Sequence, residues 1–170
     1  IAIYPAVEIV LTEEQQKKGV KRLREEVKAS AQRLRKQMLT EEAARLSGIV
    51  GELTEGIDEG RRVNGLDGYL SYFTDESVSF LDYFQESTGM IILDEPARLR
   101  EKGEAVEAEF RESMSHRLEK GYLLPGQTEL LYTVKELMAK AQRSNTLYLT
   151  GLEQKLPGMT VKNQYQIRVK

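Results

Sequence analysis

The chain has 170 residues, 40% hydrophobic and 31% charged, with a formal net charge of −2. That balance suits a soluble, helix-rich domain with a real core and excludes a strong overall field toward nucleic acid or anionic membrane. The absence of cysteine and a single histidine, His116, exclude disulfides, thiolate metal sites and histidine clusters.

Ile1 to Leu11 is β-branched and apolar with a break at Pro5, which predicts an extended opening strand. It carries no basic n-region of a signal peptide, and no apolar run nears the about 18 residues of a membrane span, so a cytoplasmic chain without membrane contact is expected. Both ends read as interior sequence, as expected of a segment from a longer chain. Thr12-Glu13-Glu14-Gln15 forms a capping-box pattern. Val20, Leu23, Val27, Ala31, Leu34 and Met38 then make one stripe on a long helix. Thr40-Glu41-Glu42 can cap a second helix, carrying Leu46, Ile49 or Val50, Leu53 and Ile57. Gly48, Gly51 and Gly56 each cost that helix about 0.8–1 kcal/mol relative to alanine, a cost that close packing on the first helix would offset.

Asn64-Gly65 and Asp67-Gly68 mark turns before Tyr69-Leu70-Ser71-Tyr72-Phe73. Ser77 to Phe84 predicts a short helix with Val78, Leu81 and Phe84 or Tyr83 inward. Met90-Ile91-Ile92-Leu93 reads as a strand buried on both faces of a parallel sheet. Leu99, Gly103, Val106, Phe110, Met114 and Leu118 repeat at helical spacing up to a stop at Lys120-Gly121. Gln127 or Thr128 begins a further helix through Leu131, Val134, Leu137 and Met138. Thr146 to Thr150 is a second short strand, and Met159 to Val169 a last one. The alternation predicts a helix-rich α/β fold with a small parallel sheet and an attached long helical hairpin. One domain is expected over 1–170: an opening strand at 1–11, the hairpin at 12–60 and an α/β part at 61–170.

The sharpest chemical feature is Asp94-Glu95 at the end of the apolar run. In phosphate-transfer sites a carboxylate so placed holds Mg²⁺ and its neighbour orients the attacking water. Acids between a strand and a helix also cap the helix and favour its dipole. A working site needs a G-x-x-x-x-G-K-[ST] phosphate cradle, which the sequence lacks. Gly121 and Gly126 have the right spacing, but Gln127-Thr128 cannot replace the lysine charge. The basic residues from Lys17 to Lys36 interleave with Glu13, Glu14, Glu25 and Glu26, which favours a solvated face over a phosphate-binding one. Tyr69, Tyr72, Phe73, Phe80, Tyr83 and Phe84 have core-like spacing rather than that of a base-stacking platform, and His116 reads as a surface helix position.

Taken in order, Ile3-Tyr4-Pro5-Ala6, the charged hairpin, 63–73, 80–84, 91–95, 121–125 and 146–150 resemble one stretch of the excision-repair helicase UvrB. The same stretch recurs in the UvrB-like N-terminal module of transcription-repair coupling factors (Mfd). The resemblance implies a partial helicase-like, UvrB-like domain. UvrB follows its acidic pair with Ser-His, where this chain has Pro96-Ala97; UvrB's Ser-Ala-Thr is replaced by Thr150-Gly151-Leu152. The departures favour the coupling-factor module, in which Asp94 and Glu95 are a degenerate Walker B-like remnant with no catalytic, cofactor-binding or metal-binding role. The resemblance implies a parent that uses ATP and Mg²⁺ in a separate motor, binds DNA, displaces stalled RNA polymerase and recruits UvrA. This segment would then partner the rest of its own chain; the UvrA-contacting region is expected upstream of Ile1. Two alternatives stay open: an active UvrB-type ATPase with its phosphate loop outside this segment, and an unrelated helical interaction domain. The second gains if Met90–Leu93 lies outside a parallel sheet.

Overall fold

Thr12 starts the first long helix as its sequence predicts. Its hydroxyl accepts from the Gln15 amide at 3.2 Å, and the Gln15 side chain accepts from the Thr12 amide at 2.9 Å. This computed structural model describes residues 9–84, 89–152 and 158–167. Helix α1 runs Glu13–Lys36 and α2 runs Thr40–Asp58. Met38 leaves the predicted stripe: at φ 65° and 87% exposed it makes the left-handed turn between the helices. Leu39, which offers no capping side chain, precedes α2, so Thr40 is its first residue rather than its cap.

The chain divides into two compact units, Ile1–Ser77 with Glu109–Leu131 and Val78–Ala108 with Tyr132–Lys170. In the first, α1 and α2 pack as an antiparallel hairpin. Leu23, Ala31 and Leu34 meet Leu46, Val50 and Leu53, and Tyr72 and Phe73 close the core. Full burial of a side chain such as Leu23 or Leu46 contributes about 1.5–3 kcal/mol. Helix α3, Leu70–Phe73, carries those aromatic rings. Its C-terminal side is tied to α1 by Arg22, which donates to the Tyr72 carbonyl at 3.2 Å and pairs with Asp75 at 2.7 Å. The close approach that matters is at Gly19, where an added Cβ would run into the Phe73 ring. Gly48 and Gly51 face open space, so the helix packing expected to offset their cost is absent.

Helix α4, Pro96–Glu119, supplies residues to both units. It ends where Gly121 adopts φ 67° against the Glu42 carbonyl, a position with no room for a side chain. A single 3₁₀ turn, Pro125–Glu129, replaces the predicted start of the next helix. Helix α5, Val134–Arg143, begins where Thr133 and Glu136 form a capping box.

The second unit holds strands β1, Met90–Asp94, and β2, Asn145–Leu149, paired in parallel with Met90 opposite Asn145 and Asp94 opposite Leu149. The parallel sheet matches the sequence reading; its burial on both faces does not. Met90 (63%), Ile92 (52%), Leu147 and Leu149 are exposed, while Ile91, Leu93, Thr146 and Tyr148 are half-covered. With two strands and alternating side chains, only one face of the ladder is packed. The stretch predicted as a helix at Ser77–Phe84 is a 3₁₀ turn, Phe80–Tyr83, capped by Ser79. Val78, Phe80, Tyr83 and Phe84 are exposed there, so only Tyr69, Tyr72 and Phe73 of the six aromatics serve as core. Of the predicted last strand, residues 168–169 lie outside the described residues; residues 159–167 carry no strand, and Tyr165 and Ile167 lie in solvent. Of the opening strand, residues 1–8 lie outside the described residues, and 9–11 carry no regular structure. The described residues thus form a helix-rich α/β arrangement of five α-helices and a two-stranded parallel sheet. None of the described helices is long and apolar enough to cross a membrane.

Candidate functional site

β1 delivers Asp94 and Glu95 to the strand-to-helix corner, the position where a phosphate-transfer carboxylate would stand. Asp94 is exposed. Glu95 occupies a left-handed backbone conformation, φ 49°, which a residue with a Cβ seldom adopts. Its amide donates to the Leu149 carbonyl at 2.8 Å, continuing the β1–β2 ladder by one bond. Its carbonyl accepts from the Leu99 amide at 3.0 Å, so Glu95 caps α4 with Pro96 at the first helical position. The side chain reaches across to the loop after β2, where one carboxylate oxygen accepts from the Gly151 amide at 2.6 Å. The sequence reading of the acid side chains as caps is not met by the Glu95 carboxylate, which turns to the Gly151 amide instead.

Among the described residues no group of three or more His, Asp or Glu could hold a metal ion. The Gly121–Gly126 loop is no phosphate cradle either. Gly126's amide donates to the Glu26 carboxylate at 3.2 Å, and a Cβ at Gly126 would meet the Tyr72 hydroxyl at 2.6 Å. An acid on the loop's own amide repels the anion such a loop would have to bind. The Tyr72 hydroxyl is buried beside Glu26 without a bond of good geometry; burial, and then Glu26, push its pKa far up.

Part of the basic face of α1 is taken up in ion pairs. Lys18 and Arg22 meet Asp75, and Arg24 meets Asp58 at 2.5 Å. Lys18, then Arg22, hold the Asp75 carboxyl below its ordinary range. His116 is an exposed position on α4. A shallow cavity of about 140 Å³ in the first unit is lined by Leu11, Ile57, Val63 and Leu66, and the described residues give it no acid.

One polar cluster escaped the sequence reading. Lys140 of α5 meets Asp82 at 2.5 Å and the Ser79 hydroxyl at 3.3 Å, and lies 4.8 Å from the centre of the Tyr132 ring. Lys140 first, then Ser79, bring Asp82 down to about 2. The Ser79-x-x-Asp82 spacing is itself a capping signal; Lys140's part depends on tertiary approach that spacing does not encode. The cluster anchors the 3₁₀ turn to α5. The Ser79 hydroxyl donates to the Asp82 carboxylate at 2.8 Å, which makes it part of the turn's cap.

No family model matches the chain. The transcription-repair-coupling factor of Bacillus subtilis (strain 168) is 28% identical over 148 residues, 87% of this chain. The chain spans 12% of that protein's length. It is a distant relative of the transcription-repair coupling factor.

Proposed function

We propose that this chain acts as a non-catalytic, UvrB-like segment of a transcription-repair coupling factor. In this reading the whole protein is an ATP-dependent DNA translocase that displaces stalled RNA polymerase and recruits UvrA, with ATP and Mg²⁺ bound in a motor elsewhere. The segment is scaffold: it partners the rest of its chain and performs no hydrolysis. The observation that carries this reading is the engagement of Glu95 by the Gly151 amide at a corner without a phosphate loop. The Bacillus relative supports the repair context. The parallel pairing of Met90–Asp94 counts against the unrelated helical-domain reading.

The test uses the full-length protein carrying Asp94→Asn and Glu95→Gln together. ATP-driven displacement of stalled RNA polymerase should stay within about twofold of the unaltered protein. Loss of about a hundredfold or more, the scale of removing a catalytic acid or base, would contradict the reading.

A further inference from the structure

The geometry points to Glu95 as a positioning residue: a latch in which its carboxylate ties the loop after β2 to the corner between β1 and α4. Several bonds converge on this residue. Its amide meets Leu149, its carbonyl meets Leu99, and its carboxylate meets Gly151. A non-glycine residue at φ 49° persists only where its surroundings over-determine it, and these bonds supply that constraint. The backbone bonds fix the corner itself. The carboxylate bond adds a link that the ladder does not provide, because Gly151 lies beyond the end of β2 at Leu149. Gly151 also admits the carboxylate closely: a Cβ there would stand 3.1 Å from its Oε1. A charged acceptor on a backbone amide is among the stronger hydrogen bonds, which suits it to hold a loop.

The device goes beyond the scaffold reading and rests on geometry alone. Hydrolysis of ATP by the chain would sink that reading without touching the latch, and loss of the latch would leave the scaffold intact. It also gives Glu95 a use independent of nucleotide: the strand ends and Gly151 move as one body.

Hydrogen exchange and amide proton shifts of the 170-residue chain, followed by NMR, test the latch. The Gly151 amide should be protected and shifted downfield. Glu95→Gly should free it, with exchange about tenfold faster, while the amides of the β1–β2 ladder keep their protection, since glycine accepts φ 49° without strain. Glu95→Gln keeps an acceptor and should restore most of the protection. Asp94→Ala should leave Gly151 unchanged. Equal exchange at Gly151 with and without the carboxylate, or the same loosening in Asp94→Ala, would overturn the latch. If Glu95→Gly melts the strand pair, the unaltered protein decides: a Gly151 amide that is neither protected nor displaced downfield refutes the proposal.

Discussion

A Cβ at Gly19 would collide with the Phe73 ring, yet the helix keeps glycine there at a propensity cost of about 0.8–1 kcal/mol relative to alanine. Gly19→Ala should therefore destabilise the chain by about 1–3 kcal/mol through overpacking, read as a lower urea midpoint. Gly48 faces open space in mid-helix, so Gly48→Ala should raise the midpoint, by up to about 1 kcal/mol. The opposite signs separate packing from propensity. The sequence displays both glycines equally well; what distinguishes them is contact with a ring far along the chain. The same limit applies to Glu95. Its place after an apolar run and before a proline was legible, but its carboxylate's partner, Gly151, belongs to another strand's end.

The hairpin of α1 and α2 was the most legible element, because its apolar spacing, capping box and length all agree. Leu46→Ala, at a site 1% exposed, should cost about 2–5 kcal/mol in chemical denaturation. The elements around 77–84 and 125–134 were misread for a common reason: short apolar spacing suits a 3₁₀ turn as well as a helix, and local capping decides. The turn at Phe80–Tyr83 carries its own pH signature. Asp82's pKa in the fold lies below its ordinary value, so the Lys140 anchor contributes fully above the ordinary carboxylate range. It is lost as pH falls through about 2. Protection of the turn's amides relative to their intrinsic exchange should fall over that acid window, and Lys140→Met should lower it at neutral pH as well. A turn equally protected in both proteins would show that the ion pair does not hold it.

Across the whole chain, composition and periodicity gave a helix-rich α/β protein. They could not show that half of a two-stranded sheet's apolar side chains stay in solvent, because the alternating Met90, Ile92, Leu147 and Leu149 look like core. The repair context came from the order of motifs, not from any one of them, and the distant Bacillus relative supports it. In the proposed reading the Asp94-Glu95 corner is structural. The most direct measurement is Mg²⁺-dependent ATP hydrolysis by the purified 170-residue chain. Phosphate release should be no faster than in buffer and indifferent to Glu95→Gln; Mg²⁺-dependent turnover abolished by Glu95→Gln would show the corner to be catalytic.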